Sequence, residues 1–483
     1  MSKLRISPFL KQCFVTAAVC STTIGHGSVV GFPAILLPQL QRPDSHITLT
    51  EEEGSWIASV TAITLLLGSF IAPPIMGKLG RRVAHFVVIA NILVGWTVIL
   101  LARSLEALIV GRVIHGLSFG LMLPLRSVLL GEYTSPKNRG AFLTTVSVAQ
   151  AFGILLVHLI GSLVSWQTTI FIVLCFPIAS LLMTFFTPET PSWLAAKGRY
   201  DDCRKVFRWL RGDEEEQELE EMIRATCENK RATISNFKDL VVLFKKKEFY
   251  KPIVIMVHSY LMAEFSGGAL LSCYSTTVIT LLAGPDVDAH FWMIALDVQR
   301  NISNIAAVYV VNKVKRRTMF MATGSLCILT SIAIACYVYA KTLGVLTYTA
   351  IWLPILLINI QFFTVAVGMV CLPYVIAGEI FPLEYRSVSS SISIVSIASG
   401  YFLVTKTFPA LVTSIGLHGS YAVYAGMMTY NLIVVWSLLP ETKGKTLQQI
   451  EEHFRGKPLG AEDIEVRQHL KDKTDIEKPR VES

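Results

Sequence analysis

The chain has 483 residues, 52% of them hydrophobic and only 16% charged, with a mean hydropathy of +0.53. A soluble protein carries about a quarter charged residues, so a water-facing surface of ordinary composition is excluded for most of this chain. The formal net charge of +8 is gathered in alternate connections between apolar runs, and no nucleic-acid partner is needed to explain it.

A helix that crosses a bilayer needs roughly 20 mostly apolar residues. Runs of that length recur near 13–39, 55–76, 83–102, 107–130, 141–163 and 166–187, and again near 251–275, 290–311, 318–340, 345–377, 387–408 and 418–439. They predict an all-α membrane protein of twelve transmembrane helices in two six-helix halves. The first run follows Lys3, Arg5 and Lys11 and is too long and too glycine-interrupted for a signal peptide, so no cleaved leader is expected. His26 in that run and His158 in the fifth read as packed or hydrogen-bonded histidines. The expected organisation is 1–187 for the first half, 188–250 for a charged linker of short amphipathic helices, 251–455 for the second half and 456–483 for a polar tail.

Basic residues cluster at Lys78, Arg81 and Arg82, at Lys137 and Arg139, at Lys313, Lys315, Arg316 and Arg317, and in the linker. The intervening connections are neutral or acidic, with Glu51, Glu52 and Glu53 in one and Asp286 and Asp288 in another. The positive-inside rule then predicts that both termini and the linker are cytoplasmic. The nine cysteines show no CxxC or His-rich spacing, so neither a disulfide framework nor a metal site is expected. No cofactor is expected, and no nucleophile–base arrangement that would make the chain an enzyme.

An internal repeat relates the halves. GKLGRR at 77–82 recurs as NKVKRR at 312–317, GEYTSPKNRG at 131–140 as GEIFPLEYRS at 378–387, and PETPSW at 188–193 as PETKGK at 440–445. The partners are 235, 247 and 252 residues apart, in the same order, as in duplicated transporter halves. Each pair is predicted at a cytoplasmic helix end and supplies Arg, Glu or both. Arginine forms its stronger polar contacts with carboxylates, so these residues predict a network that ties the halves together on the inner side and parts when an inner gate opens. Simple topology anchoring accounts for the arginines but not for Glu132 and Glu379, because acidic residues contribute little to topology. Arg112, among the small residues of GRVIHGLSFG, is expected to join this network, and Gly111, Gly116 and Gly120 to permit close helix packing.

Glu264, Asp297 and Arg300 fall deep inside runs, where a charge costs about 2.5–3.5 kcal/mol and must find a cavity or a partner. Two readings stay open: a charged cavity that contacts a polar solute, or an ion pair that locks spans seven and eight together.

GKLGRR, GRVIHGLSFG, the Glu132…Arg139-Gly140 element, PETPSW, NKVKRR, GEIFPLEYR and PETKGKTLQQIEEHF together resemble the sugar-porter branch of the major facilitator superfamily, over about residues 12–455. Within it, VTKTFP, GEIFP and PETKGKTLQQIEEHF are most similar to insect facilitated trehalose transporters. The resemblance implies alternating access, a central sugar site weighted to the second half, and a plasma-membrane location. It also implies a cytoplasmic gate of Arg81, Arg82, Arg112, Glu132, Arg139, Arg316, Arg317, Glu379 and Arg386. Several sugar-binding positions depart from the family. The seventh-span amide motif reads Ala263-Glu264-Phe265-Ser266-Gly267-Gly268-Ala269, the fifth-span Gln falls on Ser147, and a tenth-span Trp is Tyr374. The candidate cavity is therefore Glu264, Ser266, Asp297, Arg300, Tyr374 and Ser147. Proton-coupled members carry an acid after the position of His26, and here it is Gly27, which argues for facilitated diffusion. The expected function is a carrier for a small polyhydroxylated solute, trehalose-like or hexose-like. The alternatives are a non-transporting sensor of the same fold and a carrier of another polar or charged solute.

Overall fold

Six long helices open the chain: α1 (Pro8–Leu40), α2 (Glu51–Leu79), α3 (Arg81–Leu100), α4 (Leu105–Tyr133), α5 (Pro136–Leu163) and α6 (Trp166–Phe186). The computed structural model describes residues 7–43, 45, 47–212, 215, 216, 218–220, 222, 223, 247–345, 352–381, 386–445 and 447–456. The side chains of residues 136, 137, 308, 312, 386–388, 390, 391, 447, 448 and 451 are excepted. Most of the second part of the expected linker and the tail after 456 lie outside the described residues. Helix starts follow from the local sequence. Ser7, Ser104 and Ser165 each accept a backbone N–H from the first turn of α1, α4 and α6, and Thr50 and Glu53 form a reciprocal capping box on α2.

Close approach of the helices in the first half depends on glycine. A Cβ on Gly27 would overlap the carbonyl of Gln150, and one on Gly153 the carbonyl of Ile24, so α1 and α5 meet backbone to backbone. Gly120 meets Leu65 in the same way where α4 crosses α2. Small residues let helices approach where no water drives them together.

Two short helices follow, α7 (Pro191–Ala196) and α8 (Tyr200–Arg211). They belong to the first half by their contacts. Gln12 of α1 donates to the Leu210 carbonyl at 3.1 Å and accepts from Ser135 N at 3.2 Å, and Arg211 donates to the Thr134 carbonyl at 2.9 Å. Cys203, Phe207 and Leu210 bury the inner face of α8.

The second half starts with a broken span: α9 (Lys247–Phe265), α10 (Gly268–Cys273) and α11 (Ser275–Ala283). The first break is at Gly267, whose φ of 105° suits glycine alone. The Ser266 carbonyl freed there accepts from the Gln361 amide at 3.0 Å, which meets the demand that backbone at membrane depth be satisfied within the protein. Then come α12 (Ala289–Lys313), α13 (Arg316–Thr342), α14 (Trp352–Thr364), a π-helical turn at Val365–Met369, and α15 (Cys371–Ile380). The run α16 (Arg386–Leu438) holds two spans separated at Gly416, φ 72°, and α17 (Leu447–Arg455) lies beside α9, with Arg455 3.6 Å from Glu248.

Ten of these helices are long and apolar enough to cross a membrane when α16 counts once. Dividing α16 at Gly416 and adding α12, which carries Asp297, Arg300 and Lys313, gives twelve spans in the expected order. The outer faces of α6 and α16 leave Phe186 77% and Trp436 60% exposed, a surface suited to lipid rather than water.

Candidate functional site

The ends of the helices nearest α7 and α8, called here the linker end, carry the repeated motifs. Arg81 at the start of α3 bonds Glu132 of α4 at 3.2 Å and donates to the Met76 carbonyl. Arg316 at the start of α13 bonds Glu379 of α15 at 3.1 Å and donates to the Val311 carbonyl. Arg82 donates to the Phe185 carbonyl at 2.7 Å, and Arg317 to the Trp436 carbonyl at 2.9 Å. The two halves thus repeat one arrangement, with Arg316 making a second bond to Glu379 and Arg82 a second carbonyl contact at Thr184.

Two further carboxylates complete it. Glu189 accepts the backbone N–H groups of Arg81 and Arg82 at 2.9 and 3.1 Å, and Glu441 those of Arg316 and Arg317 at 2.9 and 3.1 Å. Each covers the first-turn donors and the positive dipole end of a helix. The recurrence of Pro-Glu-Thr at 188–190 and 440–442 is the sequence signal that points to them.

Three expectations about the network change. The two Arg–Glu pairs lie within their own halves, not across the seam between them. Arg112 is not at this end at all: it sits two turns into α4 from the opposite end, wholly buried, and donates to the carbonyls of Ile57 at 2.9 Å and Val29 at 2.6 Å. The fourth span runs back toward the linker end, so a residue near its start faces away from Glu132. Arg139 has a buried Nε without a hydrogen-bond partner, and the side chain of Arg386 lies outside the described residues.

The opposite end, called here the far end, is where the halves touch. Among the described residues, the hydrogen bonds recorded between the halves are all there. His158 of α5 meets Asp297 of α12 at 2.5 Å, Cys273 meets the Val30 carbonyl at 3.5 Å, and Thr276 the Ala34 carbonyl at 3.4 Å. Lys406 donates to Ser55 at 2.8 Å while lying 4.1 Å from the Trp56 ring, and Thr413 donates to Glu51 at 2.9 Å.

The six candidate cavity residues divide. Tyr374 is 46% exposed, Ser147 is exposed and Glu264 is half-buried. Ser266 is wholly buried and donates to its own helix at Ala263. Asp297 is buried in the His158 pair, and His158 is packed and hydrogen-bonded as expected, with a carboxylate as one of its partners. Arg300 lies 3.6 Å from Asp297, donates to Ser272 at 3.0 Å and stacks 4.5 Å from Phe362. It links spans seven and eight through Ser272, not through Glu264. Sequence reasoning missed Arg126 in the middle of α4, which donates to Gln150 of α5 at 2.8 Å. Tyr374 lies within electrostatic reach of both Arg126 and Glu264, and Arg126 is bonded to Gln150. An arginine inside a span is itself the signal.

The sequence profile of the family described as Sugar (and other) transporter matches residues 13–454. The chain is 28% identical to the facilitated trehalose transporter Tret1 of Apis mellifera ligustica, over 92% of this chain and 87% of that one. It is likewise 28% identical to Tret1 of Bombyx mori, over 90% and 84%. Its backbone is similar to the proton:xylose symporter XylE bound to 6-bromo-6-deoxy-D-glucose, at a TM-score of 0.70 and 19% identity, covering 92% of this chain and 99% of that one. It is also similar to the inward open conformation of XylE from E. coli, at 0.71 and 18% identity, covering 92% and 100%.

Proposed function

The chain belongs to the Sugar (and other) transporter family, and from that premise we propose that it carries trehalose or a hexose-like sugar down its gradient by alternating access. The observation that carries the mechanism is that, among the described residues, the hydrogen bonds between the halves lie at the far end. The ion pairs of the linker end stay inside each half. A carrier whose far gate is shut holds its halves together at that end in this way. The similarity to facilitated trehalose transporters supports the choice of solute.

In this reading the protein sits in the plasma membrane with both termini and the linker in the cytoplasm, so the far end faces outward. The basic residues at the linker end support that orientation. Arg126, Gln150, Glu264 and Tyr374 supply donors and acceptors for sugar hydroxyls at the centre, and Ser147 borders them. Arg81, Arg82, Arg316 and Arg317, with Glu132, Glu189, Glu379 and Glu441, hold each half's inner edge. Arg139 and Arg386 are the arginines that meet the opposite half when the inner gate closes.

Uptake of labelled trehalose, glucose and xylose into proteoliposomes containing the full chain tests this. The expected result is saturable uptake that stops at equal concentrations and gains no accumulation from an imposed pH gradient. Lack of uptake of any sugar would overturn the reading.

A further inference from the structure

Among the described residues, the seam at the far end contains one hydrogen-bonded contact between two ionisable side chains, and its geometry sets a proton count. His158 Nε2 faces the carbonyl of Gly31 at 3.1 Å. A carbonyl only accepts, so Nε2 carries a hydrogen. His158 Nδ1 faces Asp297 Oδ2 at 2.5 Å. A bare ring nitrogen and a bare carboxylate oxygen are both acceptors and repel at that distance, so a second hydrogen lies between them, on one atom or the other. The pair therefore holds one proton more than a neutral imidazole beside an ionised carboxylate. Both side chains are at most 2% exposed, and they reach the seam from opposite halves.

We propose that His158 and Asp297 form a proton-binding latch, so that closing the far end of the carrier takes up one proton and opening it releases one. The proposal rests on the alternating-access reading. When the far end opens, the two groups separate into water, where an imidazole titrates near about 6.5 and a carboxylate near about 3.9. At neutral pH the separated groups hold one proton fewer than the closed pair. The sign follows by linkage: the closed state binds more protons, so its share rises as pH falls. The ratio of closed to open changes by up to about tenfold per pH unit above the imidazole value, and flattens below it, where the open state binds the proton too.

The neighbouring groups leave the count unchanged. Arg300 lies 3.6 Å from Asp297 Oδ1, on the carboxylate oxygen that does not face His158. On α10 the Cys273 thiol is engaged with the Val30 carbonyl and the Tyr401 hydroxyl of α16, and Arg112 of α4 is held on the Val29 carbonyl of α1. The proton enters and leaves on one side of the protein, so pH sets the gate without driving accumulation, in keeping with facilitated transport.

Spin labels on Ser165→Cys and Asp286→Cys, in a full chain otherwise freed of cysteine and retaining sugar uptake, report the far-end distance in nanodiscs. The expected result is a growing short-distance population as pH falls from about 8.5 to about 5.5. Asp297→Asn lets the amide donate to a neutral His158, which closes the latch without the proton and removes the pH dependence. His158→Gln removes the titrating ring and does the same. A flat wild-type response, or a slope that persists in either variant, overturns the proposal. The pH dependence of trehalose exchange at equal internal and external pH is a second readout on the native-cysteine chain. Loss of all uptake with the distance response intact would instead strike the sugar reading and leave the latch standing.

Discussion

The linker end and the far end of this protein are built on opposite plans. The linker end is duplicated: Arg81, Arg82, Glu132 and Glu189 each have a counterpart in the other half, and the ion pairs are part-buried and local. The far end is built of single contacts with no repeat, His158 to Asp297, Lys406 to Ser55 and Trp56, and Thr413 to Glu51. Redundancy gives the linker end tolerance to change, while each far-end contact acts alone. A gate that must bind and release is regulated more sharply by one buried ionisable pair than by several wet ones.

The sharpest way to break this comparison is Asp297→Ala. It leaves His158 and Arg300 buried without their carboxylate, and removal of one partner of a buried pair costs about 3–5 kcal/mol. The expected outcome is a far end that stays open in the spin-label measurement and a lowered thermal midpoint. Equal behaviour to wild type would put the far end in the same tolerant class as the linker end.

The next effect tests the duplication. Glu189→Ala and Glu441→Ala each strip two backbone donors of their acceptor at a helix start, at about 1–2 kcal/mol apiece. The two losses should be similar in thermal unfolding of the detergent-solubilised chain, because each carboxylate accepts the same two first-turn N–H groups at 2.9 and 3.1 Å. A large inequality would mean that the halves are energetically unlike despite their geometry.

These two tests also mark where the sequence was legible. The three repeated motifs placed Arg81, Arg82, Glu132, Arg316, Arg317 and Glu379 at one end because duplication leaves a record at fixed offsets. The twelve spans were legible because apolar length is a local property, although the breaks at Gly267 and Gly416 needed the backbone. His158 and Asp297 are 139 residues apart and belong to no repeat, so neither residue announces the other. Arg112 belongs to the other end because its motif opens a span that runs toward the linker end, a direction the motif alone does not carry. Arg126 and Gln150 share a site only through the crossing of α4 and α5, which spacing along the chain does not reveal.

Smaller effects sharpen the contrast. Double-mutant cycles on Arg81 with Glu132, and on Arg316 with Glu379, should each give a coupling of about 1 kcal/mol, because side chains that keep 11–29% of their surface in contact with solvent are still partly screened. A coupling well above that in either half would show that the linker end holds its own structure more tightly than its exposure implies. The smallest effect is expected for Lys406→Met, which removes the ammonium from Trp56 and Ser55 at about 0.5 kcal/mol. It should raise the open far-end population slightly and leave its pH dependence intact.

The attachment of α8 has a practical consequence. Gln12 and Arg211 fasten that helix to α1 and to the end of α4, so it travels with the first half alone, while α17 is fastened to the second through Arg455 and Glu248. A rigid fusion or antibody fragment grafted on the outer face of α8 becomes a fiducial for one half in single-particle imaging. A second one on α17 marks the other, and the angle between the two markers then reads the rocking of an otherwise featureless membrane protein.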